Sequence, residues 1–450
     1  MKSKTLNMTE GNPTRLLLVF AVPMLIGNVF QQLYNLVDSV IVGKFVGADA
    51  LAAVGATGSV SFLFFALCNG LGSGGGIITA QQFGAGNKEN VKKAITNSAY
   101  ILLIGSILMG ALAFAISSWI LNVMATPAEI LQDSVTYMRM QCIGLPMVAV
   151  YNHVSSMLRA LGDSRTPLYF LIFSCILNVG LDLWFVVGFG LGIFGAALAT
   201  IIAQLIAGVG CLLYALRYNE YFKFAKEDFR PEKSMLFGTV RLGVPLSLQF
   251  SLIAISSMAL QRVVNAFGAT VMAAFTAVSR VEQLLHQPYG TLSAALSTYS
   301  GQNLGARNME RIKLGFKKAV GMMVMFSLFM LPVMQFGSEA IVKVFVNDPE
   351  VIAHGAAGMR VTSWFYLFLG TIYMIRGVLN GVGDAMFALI NGVVEVIGRI
   401  VIPVLLVTIP FIGVWGIWIS TGLVWAVSAL FCVLRYVVWW KKSPLVNNAV

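Results

Sequence analysis

The chain has 450 residues, of which 58% are hydrophobic and only 11% are charged, and its mean hydropathy is +0.82. Soluble domains carry about 25% charged residues, so this composition argues against a soluble enzyme, a nucleic-acid binder and a secreted disulfide scaffold. The five cysteines lie in apolar runs without a CxxC pair, which argues against disulfides and a zinc site. The composition therefore indicates an integral membrane protein.

Apolar runs separated by glycines, prolines and clusters of charge predict an all-α membrane protein with twelve spans. Each run is long enough to cross ~30 Å of hydrocarbon. In chain order the runs cover residues 14–42, 50–79, 92–121, 129–158, 165–188, 192–216, 234–262, 268–300, 311–338, 350–380, 385–409 and 412–438. The polar N-terminal residues lead directly into the first span, so we expect no cleaved signal peptide.

Lysine and arginine residues are distributed unequally between the two sides of this predicted topology. With a cytoplasmic N-terminus, 22 of the 30 fall in cytoplasmic loops and tails, three in the opposite loops and five within spans. Basic residues concentrate on the cytoplasmic side of membrane proteins. We therefore expect a multi-pass protein of the plasma (inner) membrane with both termini cytoplasmic, and the net charge of +11 does not require a nucleic-acid partner.

The chain also repeats itself at an offset of 221 residues. The matching pairs are 45–54 with 267–275, 83–87 with 304–308, 138–139 with 359–360, 160–163 with 381–384, and 194–200 with 415–421. Each half has six spans, an even number, so the sequence predicts a parallel repeat about an axis along the membrane normal. The predicted organisation is an N-terminal six-helix bundle (1–216), a charged cytoplasmic linker (217–233) and a C-terminal six-helix bundle (234–450), which is typical of transporters.

Motifs for enzymatic chemistry are absent from the sequence. There is no GxxxxGK[ST] motif, so transport must be secondary or passive, and we expect neither an enzyme nor a bound cofactor. Gly70, Gly72 and Gly75 satisfy the GxGxxG pattern, but they lie within an apolar span and follow no strand. We interpret them as small residues that allow helices to pack closely.

Four acidic residues lie within the predicted spans: Asp38, Asp182, Glu282 and Glu395. A charged aspartate in mid-span costs about 2.5–3.5 kcal/mol on insertion scales, so such residues usually face a bundle interior or a wet cavity. One isolated acid is as often a protonated packing residue as a functional one. Asn178 lies one helical turn from Asp182, and two acids with an amide in the first bundle favour a coupling-ion site.

The second half carries different polar residues. Glu395 and Arg399 are four residues apart on one predicted helix, so we expect them to form a structural ion pair rather than a substrate contact. Each of the three histidines is more often a packing residue than a ligand, although His153 beside Asn152 is a candidate for lining the first bundle.

Segments 22–55, 159–167, 177–186 and 194–200 resemble the multidrug and toxic compound extrusion (MATE) transporters, and the resemblance extends over the whole chain. It implies a V-shaped arrangement of two bundles with a cleft between them. It also implies efflux of small amphipathic, often cationic, organic compounds driven by H⁺ or Na⁺.

The resemblance also implies roles for individual residues. It places Pro23 and Asp38 in the first span, Asn178 and Asp182 in the fifth, and Ala196 and Thr200 in the sixth, the last five forming the coupling-ion site. The expected substrate-cleft residues are Gln31, Tyr34, Asn35, Asn152 and His153, and the expected structural or gating residues are Pro23, Glu282, Glu395 and Arg399. Some family members have a Na⁺-binding acid in the seventh span, but residues 241–260 contain none, so we place the coupling in the first bundle.

The chemistry of these residues leaves the coupling ion open. Two carboxylates, an amide, a hydroxyl and a backbone carbonyl form an all-oxygen set that suits Na⁺ at Asp38 and Asp182. The same two carboxyl groups can instead share a proton, because two close negative charges oppose each other. Pro23 removes a backbone hydrogen bond from the first span and provides a bend that ion binding could bias.

Two other functions remain open from the sequence. A flippase for a lipid-linked cell-envelope precursor, which uses a related fold, would favour a cationic cleft for the pyrophosphate. This alternative remains open because the second half contains Arg280, Arg376 and Arg399. An ion channel would show flux that is not coupled to a second gradient. In each case we expect a monomer embedded in the lipid bilayer.

Overall fold

A computed structural model describes residues 5–124 and 126–442, and within these ranges the chain forms helices and no strand. Lys2 and Lys4 of the predicted cytoplasmic tail lie outside these residues. The α-helices of the described ranges are α1 (Pro13–Ile41), α2 (Ala48–Gly84), α3 (Lys88–Val123), α4 (Ala128–Ala160), α5 (Arg165–Asp182), α6 (Gly192–Tyr218), α7 (Lys233–Asn265), α8 (Ala269–Gly305), α9 (Met309–Lys343), α10 (Pro349–Ser363), α11 (Tyr366–Gly381), α12 (Ala385–Val407) and α13 (Trp415–Lys442). Because α10 and α11 together occupy one predicted span, the helices correspond to the twelve predicted spans, and the all-α membrane fold is confirmed.

Nine of the described helices are long and apolar enough to cross a membrane by length and composition. The other three predicted spans are α4, α8 and the α10–α11 pair. The helices α4 and α8 have 33 and 37 residues but carry more polar side chains. The span formed by α10 and α11 is interrupted between Ser363 and Tyr366. For α4 and α8, the polarity points to burial within the protein rather than to contact with lipid, whereas α10 and α11, with 15 and 16 residues, are each too short to cross alone.

The backbone of the loops repeats at the same offset of 221 residues as the sequence. Left-handed glycines occur in the pairs Gly47 and Gly268 (φ +131° and +85°), Gly162 and Gly383 (+86° and +91°), and Gly192 and Gly413 (+56° and +50°). A fourth pair joins Gly86 (φ +72°) to Arg307 (φ +56°), a non-glycine residue in a region that side chains disfavour. The following residues, Asn87 and Asn308, cap α3 and α9 in the same way. Equivalent turns thus join equivalent helices, which confirms the parallel repeat.

The chain divides into two compact units, residues 1–8 with 22–248 and residues 9–21 with 249–450. The divisions fall within α1, beside Pro23, and within α7, close to Pro245. They differ from the limits expected for the bundles from the sequence, which remain a prediction. The segment between α6 and α7 is not extended, because it forms two short 3₁₀ turns, Glu220–Phe222 and Lys226–Phe229, that pack on α3.

In the first unit, α4 packs against α2, α3 and α6, and glycines bring these helices close together. A Cβ atom at Gly75 would lie 2.5 Å from the Cβ of Ser98, and one at Gly110 would lie 2.7 Å from the carbonyl oxygen of Cys142. The interpretation of the glycine-rich stretch of α2 as a helix-packing surface is therefore confirmed. In the second unit, α11 packs against α8, α9 and α13.

Candidate functional site

Three helices of the first unit each present a stripe of polar or small residues to one place. The stripe on α1 comprises Gln31, Tyr34 and Asp38, the stripe on α5 comprises Ser174, Asn178 and Asp182, and the stripe on α6 comprises Ala196, Thr200 and Gln204. Spacings of three or four residues place side chains on one face of a helix. Several of these side chains line a small cavity of about 10 Å³, which is about the space that the centre of one water molecule needs.

The two carboxyl groups of the site come from different helices and meet. Asp182 is fully buried, and its carboxyl group lies close enough to that of Asp38 for the two to interact. A carboxylate has no donor, so a hydrogen bond between two carboxyl groups requires a proton on one of them. Within the described residues, Oδ1 of Asp38 and Oδ1 of Asp182 are buried without a hydrogen-bond donor. The pair therefore has unsatisfied acceptor capacity that a proton or a cation would fill.

Asn178 and Thr200 connect this pair to α6. The Thr200 hydroxyl donates to the carbonyl oxygen of Ala196 (3.1 Å) and lies 3.4 Å from the Tyr34 hydroxyl, which must therefore donate to it. In one orientation the amide of Asn178 donates to Thr200 Oγ1 (3.3 Å), but its oxygen then faces only acceptors. In the other, its nitrogen donates to Asp182 Oδ2 (2.8 Å) and its oxygen accepts from the backbone N–H of Thr200 (3.0 Å). The second orientation satisfies both ends of the amide.

Both helices that carry the acids continue into π-helical turns. Residues Val42–Val46 follow α1, and Leu183–Gly188 follow α5 directly after Asp182. The two π-helical segments contact each other. Such turns are rare and occur frequently at functional sites. Sequence reasoning missed them, and the local signals are Gly43 and Gly188 within the turns and Gly47 directly after the first.

The expected substrate-cleft residues do not all lie near this cluster. Gln31 and Tyr34 line the small cavity, whereas Asn35 is exposed and its carbonyl oxygen accepts from Ser39 (2.8 Å). Asn152 and His153 are buried on α4, and His153 lines a separate, apolar cavity. Their role in substrate binding remains a prediction.

In the second unit, the expected ion pair between Glu395 and Arg399 is wrong. Glu395 Oε1 lies 2.6 Å from a guanidinium nitrogen of Arg376 on α11, and the two side chains are only 8% and 7% exposed. Asn391, one turn from Glu395 on α12, accepts from Arg376 (2.7 Å), and Ser428 of α13 donates to Glu395 (3.1 Å). The partner comes from another helix because the buried face of α12 packs towards α11 and α13. Sequence reasoning missed Asn391 and Ser428, although Asn391 and Glu395 share one helix face.

Arg399 belongs to a different group. It lies near Glu282 and His286, which are one turn apart on α8, and Glu282 Oε1 is buried without a hydrogen-bond partner within the described residues. The His286 ring makes edge contacts with Tyr373 and Trp425. Glu282 and Glu395 are thus held in different surroundings, and only Glu395 has a close ion-pair partner within the described residues.

Other expectations concern bound groups. Among the described residues, no group of three or more His, Cys, Asp or Glu side chains is placed to hold a metal ion. The expected absence of a cofactor remains a prediction.

Comparisons with known proteins agree with this architecture. A family model described as MatE matches residues 23–184 and 245–405, so the two matched segments correspond to the two halves of the repeat. The chain is 28% identical to the probable multidrug resistance protein YoeA of Bacillus subtilis, covering 95% of this chain and 94% of the relative. It is 24% identical to the multidrug export protein MepA of Staphylococcus haemolyticus, covering 93% and 90%. A crystal structure of MATE in the straight conformation shares the fold with a TM-score of 0.89 at 24% identity, covering 98% of this chain and all of that one.

Proposed function

The chain belongs to the MatE family of membrane transporters, and from this premise we propose that it is a secondary active antiporter. It exports small amphipathic, often cationic, organic compounds in exchange for H⁺ or Na⁺. Relatives that are named multidrug resistance or export proteins support the substrate class. The contact between Asp38 and Asp182 is the observation that carries the coupling mechanism. The distribution of basic residues supports cytoplasmic termini.

A proton shared by Asp38 and Asp182 stabilises the contact between α1 and α5. When the proton leaves, two carboxylates face each other in a site of low polarity, where their repulsion is much stronger than in water. The repulsion favours conformations in which the two helix stripes separate. A proton can shift a conformational equilibrium only if its affinity differs between the two states. The affinity of this pair for a proton is higher when the two carboxyl groups are close together than when the helices have separated.

A Na⁺ ion would use the same atoms after the proton has left. The available oxygens are the carboxylates of Asp38 and Asp182, the amide oxygen of Asn178 and the hydroxyl of Thr200, which approach one another in the site. To bind Na⁺, Asn178 must turn its oxygen towards Asp182, the orientation that lacks a donor when no cation is bound. H⁺ and Na⁺ therefore compete for one site, and the orientation of the Asn178 amide distinguishes the two forms.

The shape of α1 provides a route from the ion to the transport cycle. Pro23 interrupts the backbone hydrogen bonds of α1, and the π-helical turn Val42–Val46 follows this helix. Asp38 lies between these two irregular points, so a change in its contact with α5 acts on a helix segment that is free to bend at either end.

Transport assays with the purified protein in liposomes test this proposal. A fluorescent organic cation is followed under an imposed pH gradient and, separately, an imposed Na⁺ gradient. We expect gradient-driven transport by the native protein and none by Asp38→Asn, while Asp133→Asn, which changes an exposed aspartate of α4, transports at the native rate. Transport by Asp38→Asn at the native rate would refute the coupling site.

The same assay separates the alternatives. Flux of the cation without dependence on either gradient would indicate a channel, and movement of a lipid-linked pyrophosphate without cation transport would indicate a flippase. The argument for a flippase is weaker than the sequence implied, because Arg376 is neutralised by its ion pair with Glu395. The proposed function would be overturned if the native protein transported no organic cation under either gradient but did flip the lipid-linked pyrophosphate.

A further inference from the structure

An apolar cavity of the first unit lies away from the ion site. It has a volume of about 310 Å³, within the usual range of small-ligand pockets. Its walls come from α3, α4 and α6 and from residues 219–232, the part of the predicted linker that lies between α6 and α7. Phe222, Phe224 and Phe229 of the linker close one side. Since all of these elements belong to one compact unit, the cavity is formed within that unit.

The linker is attached to α3 by specific hydrogen bonds. The Tyr100 hydroxyl donates to the carbonyl oxygen of Phe229 (2.8 Å), and Thr96 donates to that of Asp228. Asn97 accepts from the backbone N–H of Glu232 (2.7 Å). These contacts hold the phenylalanines over the cavity. They also satisfy the hydroxyl groups of Thr96 and Tyr100, the two hydroxyl-bearing side chains that line it.

One polar atom of the lining has no partner. His153 lines the cavity and is only 8% exposed, and its Nδ1 has no hydrogen-bond partner within the described residues. A ring nitrogen of a neutral imidazole either accepts or donates one hydrogen bond. The lining thus contains one unpartnered hydrogen-bonding nitrogen among apolar walls.

The position of the cavity fits the leaflet that contains the linker. Its lining on α3 runs from Ile95 to Leu103, about 10 to 22 Å from the first residue of the helix at 1.5 Å per residue. His153 lies at the level of Ile95, close to the linker, and the deeper walls are aliphatic. Polar recognition near the helix ends and aliphatic contacts below them match a phospholipid that lies with its headgroup at the linker.

Three basic residues of the linker are available to an anionic headgroup. Lys223, Lys226 and Arg230 are exposed and form no ion pair within the described residues, whereas Glu220 and Asp228 pair with Lys88 and Lys92 of α3. Glu227 and Glu232 oppose them, and neither forms an ion pair within the described residues. Lys223 and Arg230 directly adjoin the phenylalanines that line the cavity. Clusters of basic residues at the membrane surface attract anionic lipids.

We propose that this cavity binds an anionic, hydroxyl-bearing phospholipid such as phosphatidylglycerol, with an acyl chain between α3, α4, α6 and the linker phenylalanines. The phosphate lies between Lys223 and Arg230, and a lipid hydroxyl forms a hydrogen bond with Nδ1 of His153. The bound lipid holds the linker against α3. This inference requires only that the chain spans a membrane and does not depend on the coupling mechanism.

Photolabelling of the full-length protein in nanodiscs tests the site. Phosphatidylglycerol and phosphatidylcholine, each with a diazirine on one acyl chain, are compared at equal amounts, and the labelled peptides are identified by mass spectrometry. We expect phosphatidylglycerol to label peptides around 95–103, 149–154 and 222–229 preferentially. Equal labelling of these peptides by the two lipids would overturn the proposed headgroup recognition.

Variants separate the parts of the site. Lys223→Gln with Arg230→Gln should reduce labelling by phosphatidylglycerol by about fivefold for each charge removed, whereas Lys317→Gln with Lys318→Gln, a matched exposed pair on α9, should not. Ala99→Phe should block the cavity, and Ala115→Phe, an exposed position on the same helix, should leave labelling unchanged.

His153→Leu tests the hydroxyl contact. It should reduce labelling by phosphatidylglycerol but not by phosphatidic acid, which has no headgroup hydroxyl. Unchanged labelling in both Ala99→Phe and the double glutamine variant would overturn the proposal, because both variants alter contacts that it requires. None of these measurements involves transport, so failure here is distinguishable from failure of the proposed antiport.

Discussion

Replacing Glu395 by glutamine removes one charge from a buried ion pair and leaves its shape almost unchanged. Arg376 then keeps its hydrogen bond to Asn391 but loses its counter-charge in a place where its side chain is 7% exposed. Removing one partner of a buried pair typically costs about 3–5 kcal/mol, because the other charge remains buried and uncompensated. We therefore expect Glu395→Gln to lower the stability and yield of folded protein.

An exposed ion pair in the same unit supplies the matched control. Arg360 and Glu339 lie 2.8 Å apart, similar to the buried pair, but their side chains are 41% and 56% exposed. Exposed pairs contribute about 0–1 kcal/mol, so Glu339→Gln should have little effect. The two variants each remove one carboxylate charge from an ion pair of similar N–O distance, and the pairs differ in how deeply they are buried.

Thermal unfolding of the detergent-solubilised protein, followed by the loss of the monodisperse peak in size-exclusion chromatography, measures the difference. One kcal/mol shifts the midpoint by about 2–4 °C in domains of 150–250 residues, so Glu395→Gln should lower it by roughly 6 °C or more. Replacing Arg376 and Glu395 together by methionine should recover most of this loss, because no charge is then left unpaired. Equal losses for Glu395→Gln and Glu339→Gln would refute the reasoning.

Three further predictions concern coupling, topology and the repeat. If Asp38 and Asp182 carry two charges inward per cycle, exchange for a monovalent cation moves one net charge, which is worth about 2.3 kcal/mol per 100 mV. The transport rate in vesicles whose membrane potential is clamped with valinomycin should then depend on that potential. A rate that does not change with the potential would indicate one-for-one exchange. A single cysteine at the exposed Lys226 should be labelled from the cytoplasmic side only, and labelling from outside would contradict the topology. Gly86→Ala should lower the thermal midpoint, because a non-glycine residue at positive φ costs about 1–2 kcal/mol and no atom lies within 4 Å of the added Cβ to compensate. Arg307→Gly should leave the midpoint unchanged or raise it. The opposite order of the two midpoints would show that these turns are not equivalent.

The ion site shows how far spacing along the chain predicts contacts. Asn178 and Asp182 are four residues apart on one helix, and their shared face followed directly from that spacing. The contact of Asp182 with Asp38 joins residues 144 positions apart, and a resemblance, not periodicity, pointed to it. The same spacing argument failed for Glu395 and Arg399, because proximity along one helix does not decide which neighbour offers a counter-charge. Arg376 is closer through space.

The sequence by itself determined the membrane class, the number of spans and the parallel repeat. These depend on composition, on the length of apolar runs and on charge placement, and each is a sum over many residues that tolerates local error. Only the tertiary structure decided the partner of Glu395, the π-helical turns after α1 and α5, and the packing of the linker on α3. Those features depend on single contacts between distant segments, and their geometry is set by how whole helices pack rather than by any local pattern of residues.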